Sequence, residues 1–145
     1  MVAVPTAGPA NGRIGGVIRV LVVDDHPVLR AGLEAVLRAE PGFVAVGAAA
    51  DGAEALRLAR RTRPDVVVLD RRLAEEDGLA VCRELRAQAE PPQVVLYTAA
   101  DDDEGLEDAA RAVGAFAVVA KTADVAALFD AVRLAARRVT PAVDG

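Results

Sequence analysis

Residues 66–69 read Val-Val-Val-Leu, apolar at every position and bounded by Asp65 and Asp70. Side chains of a strand alternate between two faces, so a run apolar throughout needs cover on both, as parallel strands between helices receive. Four further largely apolar runs surround it: IRVLVV from Ile18, FVAVGAA after Pro41-Gly42, VVLY from Val94 and AFAVVA from Ala115. The segments between them repeat apolar residues at helical spacing. Strand then helix, five times over, predicts an α/β fold with a doubly wound parallel sheet.

Pro27 suits the first turn of the first helix, whose apolar face reads Val28, Leu29, Leu33, Val36 and Leu37. Asp51 is a natural N-cap for the second helix, DGAEALRLARRT. The third should run from about Leu79 to Gln88, stopped by Glu90-Pro91-Pro92. The fourth should start near Asp103 and end before Gly114, with acids at its positive end. Its apolar side is thin, Leu106, Ala109, Ala110 and Val113, and Gly105 weakens it further. The fifth should run from Asp124 as N-cap to Arg137, with Val125, Leu128, Phe129, Val132 and Leu134 on its inner side.

A chain of 145 residues with 53% hydrophobic content supports one core. The Gly-, Pro- and Ala-rich opening, 1–17, reads as a disordered tail, 18–138 as the domain, and 139–145 as a tail or the start of a linker. The net charge of −5 and the scattering of Lys and Arg argue against nucleic-acid contact by this segment. Cys82, the lone cysteine, falls within an apolar periodic run and reads as a small buried hydrophobe. There is neither a signal-like start nor an apolar run near about twenty residues, so a cytoplasmic location without a membrane partner is expected.

Function is suggested by the polar residues at the strand ends. Asp24 and Asp25 come directly after IRVLVV, Asp70 after VVVL, Thr98 after VVLY, and Lys121 after AFAVVA. In an open parallel sheet the ligand crevice lies outside the carboxyl ends of the strands, where these five side chains would converge. Each alone is a commonplace turn or cap residue. Together they supply acids for a hard divalent cation, an acid nucleophile, and a hydroxyl and an ammonium for a phosphoryl group. With no His or Cys counted among the ligands, Mg²⁺ or Mn²⁺ is the expected ion.

These motifs resemble the receiver domain of two-component response regulators over about residues 18–137, and VVDDHPVLRAGL around the acidic pair is similar to the NarL/FixJ type. The resemblance implies a flavodoxin-like (βα)5 fold with strand order 2-1-3-4-5. It makes Asp70 the phosphoacceptor, and Asp24, Asp25, Asp70 and the backbone carbonyl of Arg72 the Mg²⁺ or Mn²⁺ ligands. Thr98 and Lys121 become the phosphoryl-binding and switch residues, while Arg72 and Ala100 flank the path of attacking water and tune phosphoryl lifetime. It implies a signalling domain rather than an enzyme, assisting only its own phosphorylation and dephosphorylation. A histidine kinase is the implied partner, a homodimer partner is compatible, and DNA would be reached only through an output domain outside this segment. Departures are Ala74 and Glu75 where a proline and a glycine are usual, Thr122 after the lysine where many receivers have proline, and Val118 where an aromatic switch residue is expected. His26 reads as a loop residue beside the site.

Other classes lack their signatures. A haloacid-dehalogenase-type phosphatase needs a second acid two residues past its nucleophile, where Arg72 stands; a dinucleotide-binding fold needs G-x-G-x-x-G where this chain has DDHPVL. A P-loop needs glycines before Lys121-Thr122. A degenerate receiver serving only as an interaction module should have lost one of the five residues, and none is lost. VTPAVDG, after the last helix, resembles the opening of a linker to a helix-turn-helix output domain. It favours the regulatory domain of a DNA-binding transcriptional regulator over a stand-alone receiver.

Overall fold

A computed structural model describes residues 16–99 and 104–138. The tail before residue 16, Ala100, Asp103 and the segment 139–145 lie outside the described residues. The main strands are β1 (Ile18–Val23), β2 (Phe43–Ala49), β3 (Val66–Leu69), β6 (Gln93–Thr98) and β7 (Ala117–Ala120). They form one parallel sheet in the order β2-β1-β3-β6-β7. A two-residue antiparallel ladder, β4 (Arg72–Leu73) with β5 (Glu76–Asp77), sits in the loop after Asp70. Counting only the main strands, the order is the expected 2-1-3-4-5. The helices are α1 (Pro27–Ala39), α2 (Gly52–Thr62), α3 (Gly78–Arg86), α4 (Leu106–Ala112) and α5 (Val125–Ala136).

Every residue of β3 is at most 1% exposed, because its side chains feed two separate cores. Val67 and Leu69 join Leu21, Val23 and Leu96 under α2, α3 and α4. Val66 and Val68 join Val20, Val22 and Val95 under α1 and α5. The uninterrupted apolar run thus has the cover it requires on both sides. Among the described residues no helix is long and apolar enough to cross a membrane.

Asp51 caps α2 by accepting from the Glu54 amide, and the Glu54 carboxylate in turn accepts from the Ala50 amide, at 2.9 and 3.0 Å. Asp124 caps α5 through the Ala126 amide. Four of the helices depart from expectation. In α1 only Leu33 and Leu37 are buried, while Val28, Leu29 and Val36 are exposed. The helix lies over β1 and β2 at one side of the sheet, so it buries one narrow stripe. In α5, Leu134 is 50% exposed while Val132, Ala135 and Ala136 are buried. Two residues beyond Val132 is about 200° round the helix, which turns Leu134 away from the sheet. Helix α4 begins at Leu106, with Gly105 as its N-cap at φ 83°, a left-handed conformation that glycine adopts without steric cost. Only Leu106 and Ala110 of its thin apolar side are buried. Helix α3 ends at Arg86, several residues before the prolines expected to stop it.

Candidate functional site

Register explains why the acids meet. Val23 pairs with Leu69 across β1 and β3, so Asp24 and Asp70 leave adjacent strands at the same level. Both remain hydrogen-bonded to the sheet, the Asp24 amide donating to the Ala49 carbonyl and the Asp70 amide to the Val23 carbonyl, each at 3.0 Å. Thr98 pairs with Ala120 at the end of β6 and β7, and the Lys121 amide donates to the Thr98 carbonyl at 2.7 Å. That brings the lysine back over the acids. Its Nζ stands 3.2 Å from Asp24 Oδ2 and 3.1 Å from Asp70 Oδ2.

Asp24, Asp70 and Thr98 are buried, at 4%, 5% and 4% exposure. Buried carboxylates survive only with cations or hydrogen-bond donors nearby. Lys121 is one such cation. Burial alone would lower its pKa, but the hydrogen bond and charge of Asp70, with those of Asp24, outweigh this and hold it above the usual lysine value. The Arg72 amide supplies another donor, 3.1 Å from Asp70 Oδ1, while the rest of Arg72 is exposed.

The cluster is wider than the sequence reading. Carboxylate oxygens of Asp24, Asp25 and Asp70 and a ring nitrogen of His26 all lie within 4.8 Å of one another. His26, by sequence only a neighbour of the site, donates its backbone amide to Asp24 Oδ1 at 2.8 Å and holds Nδ1 3.1 Å from the same oxygen. His26 thus stands beside the three acids expected as ligands. A residue that ends a strand-to-helix loop next to two acids is folded back over them by the first turn of α1. Arg30 was also missed; its guanidinium donates to the Asp24 carbonyl at 2.8 Å. The signal was its position four residues after His26, one helical turn on.

Asp25 Oδ1 is buried and accepts no hydrogen bond among the described residues, although His26 Nδ1 lies 3.2 Å away. An orphaned carboxylate oxygen among other acids fits a divalent cation, and Asp24, Asp25 and Asp70 are the oxygen donors that could hold it. Ala100 lies outside the described residues. Tyr97 and Phe116 pack against the α1–α5 core. Val118 packs against the opposite core. The described residues contain no cis peptide, so the Lys121–Thr122 bond is trans.

The loop after Asp70 is pinned at both ends. Glu76 Oε1 accepts from the Gly52 amide at 2.7 Å, tying the loop to the start of α2, and the Gly78 amide donates to the Arg71 carbonyl at 2.6 Å. A Cβ on Gly78 would collide with the Asp70 carbonyl oxygen and the Arg71 Cα. The missing side chain is what lets α3 start directly against the backbone of Asp70.

The profile of the response regulator receiver domain matches residues 20–133. The transcriptional regulatory protein LiaR of Bacillus subtilis (strain 168) is 35% identical over 120 residues, covering 83% of this chain and 56% of LiaR. Protein-glutamate methylesterase/protein-glutamine glutaminase 4 of Myxococcus xanthus (strain DK1622) is 38% identical over 104 residues, 72% of this chain but 30% of that protein. The chain thus spans about half or less of the length of these relatives. Among solved structures, the signal receiver domain of the putative response regulator NarL from Mycobacterium tuberculosis superposes with a TM-score of 0.72 at 34% identity, covering 81% of this chain and 97% of that one. With the sheet order, the buried acids at adjacent strand ends and the lysine bridging them already in place, the chain belongs to the family of response regulator receiver domains, the phosphoacceptor modules of two-component signalling.

Proposed function

We propose that Asp70 is the residue of this receiver that accepts the phosphoryl group, taken from a histidine kinase. One observation carries the assignment: the Asp70 carboxylate is buried at the end of the central strand, with Lys121 Nζ at 3.1 Å on one side and the acidic pair on the other. Asp24, Asp25, Asp70 and the backbone carbonyl of Arg72 would hold Mg²⁺ or Mn²⁺, which when bound neutralises negative charge on the transferring group. An Asp70 oxygen forms the new O–P bond as the donor's P–N bond breaks, and the kinase imidazole, protonated on its other ring nitrogen, leaves as a neutral base. Lys121 moves from its pairing with Asp24 and Asp70 to a phosphoryl oxygen, and the Thr98 hydroxyl donates to another. The protein's part is position and charge, the terms that accelerate phosphoryl transfer.

Thr98 is the switch residue in this reading. It ends β6, immediately before the stretch leading to α4, so a hydroxyl drawn toward the phosphoryl group biases the α4 surface between two arrangements. Arg72 and Ala100 would flank the approach of hydrolytic water. The output is regulation of transcription through a DNA-binding domain outside this segment, as the names of LiaR and similar relatives suggest, with a second copy of the receiver a compatible partner. The methylesterase relative shows that the same domain is also joined to an enzyme.

Treatment with a small-molecule phosphodonor and Mg²⁺, followed by intact-mass measurement, tests the assignment. One phosphoryl adduct should appear on the wild type and none on Asp70→Asn. A stoichiometric adduct on that variant, at an unchanged melting temperature, would place the acceptor elsewhere.

A further inference from the structure

His26 is the member of the cluster that phosphoryl transfer does not use, and its ring nitrogen faces two of the acids, hydrogen-bonded to Asp24. Neighbouring corners of an octahedron with bonds of ~2.1 Å are about 3 Å apart. His26 Nδ1 lies 3.1 Å from Asp24 Oδ1 and 3.2 Å from Asp25 Oδ1. The position is held by the backbone rather than by ring packing, since the side chain is 61% exposed. Its amide is bonded to Asp24, Pro27 comes next in the chain, and its carbonyl accepts from the Arg30 amide at 2.9 Å. Asp25 Oδ1, facing the ring, is the buried atom without a hydrogen bond.

We propose that His26 Nδ1 is a ligand of the acidic site, making it a mixed nitrogen–oxygen centre that takes divalent first-row transition ions, Ni²⁺ and Zn²⁺ above all. The proposal rests on the reading of the acidic cluster as the receiver's cation site. All-carboxylate and carbonyl sites suit Mg²⁺ and Mn²⁺, whereas imidazole raises affinity for ions that favour nitrogen and leaves Mg²⁺ nearly indifferent. The ring therefore changes which ions compete for the site, and a transition ion held there would occupy the place required for Mg²⁺-assisted phosphorylation.

The chain contains a single histidine, so any imidazole signal from untagged protein comes from His26. Calorimetric titration with Ni²⁺ and with Mg²⁺ should show His26→Ala losing about ten-fold or more in Ni²⁺ affinity and less than about two-fold in Mg²⁺ affinity. His26→Asn, polar but without the imidazole nitrogen, should behave as the alanine variant does. Pulsed paramagnetic resonance of the Mn²⁺-loaded protein should show nitrogen coupling in the wild type and none in either variant. Unchanged Ni²⁺ affinity in both variants, or no nitrogen coupling in a wild type that binds Mg²⁺ and is phosphorylated, would overturn the ligand role alone. A wild type that neither binds Mg²⁺ nor accepts a phosphoryl group would overturn the receiver reading of the site and this inference together.

Discussion

Strands β3 and β7 contribute the two partners of one ion pair, Asp70 and Lys121, from opposite surroundings. The four residues of β3 are at most 1% exposed and packed from both sides. All four residues of β7, an edge strand, are only half-buried. Helix α4 beside it has seven residues, of which Leu106 and Ala110 are buried. Asp70 thus follows a strand packed on both faces, Lys121 follows a half-buried edge strand, and Thr98, itself buried, ends the strand between them and leads toward α4. A contact worth only a few kcal/mol, such as the proposed one between a phosphoryl group and Thr98 and Lys121, would reposition a weakly held element but not a fully packed one.

Truncating both strands tests the contrast most severely. Leu69→Ala, in the fully buried strand, should cost about 4 kcal/mol, whereas Val119→Ala should cost about 1 kcal/mol, both read from urea unfolding. Equal costs would abolish the distinction between the halves.

Cys82 reports on the seam between them, because its Sγ lies 3.7 Å from the Val113 carbonyl at the end of α4. Burial, opposed weakly by Arg86, pushes its thiol from 9.0 up to about 11. At pH 8 the native protein should therefore react with a thiol reagent about a hundred-fold more slowly than the unfolded chain. The folded state keeps this proton to higher pH than the unfolded state. The associated stability is present below pH 9 and declines as pH rises through about 11. Rapid labelling at pH 8 would show that the α4 side opens far more readily than its packing indicates.

Gly78→Ala probes the rigid half from its loop. The added Cβ has only backbone to meet, so a loss of about 2 kcal/mol is expected, with weaker metal binding as Asp70 shifts. A melting temperature within a degree or so of wild type would mean that the loop gives way without cost.

Hydrogen exchange should find α4 opening about ten-fold more often than α1, a difference of about 1.4 kcal/mol, and phosphorylation should alter α4 and leave β3 unchanged. Protection of residues 106–112 that equals α1 and ignores phosphorylation would remove α4 as the responding element. Smallest is the effect of Arg72→Ala on the phosphorylated half-life. A several-fold shortening, about 1 kcal/mol of barrier, is expected if the side chain covers the phosphoryl group, and an unchanged decay rate would place it away from the water's path.

Much of this was legible in the chain. Five strands at nearly their observed ends come from apolar runs, and the caps at Asp51 and Asp124 from residue type at a helix start. Less legible were the sides of helices. Val28, Leu29, Val36 and Leu134 are as apolar as their buried neighbours, and only the placement of α1 over two strands and of α5's buried stripe leaves them exposed. His26 and Arg30 were missed for a related reason. Neither residue type announces a role, and both act through a chain reversal that seats them against Asp24.

The sequence by itself determined the alternation of strand and helix, the burial of the central strand on both faces, and the presence of an acid, hydroxyl or lysine at four strand ends. Those features depend on residue type and local period, which any short window contains. Tertiary structure alone decided that Val23 and Leu69 share a register, so that Asp24 and Asp70 stand within reach of one ammonium, and that Gly78 needs its missing side chain. It also decided that a histidine enters the acidic cluster. Each of these is a distance between segments remote in sequence or turned back on themselves, set by packing that no local pattern encodes.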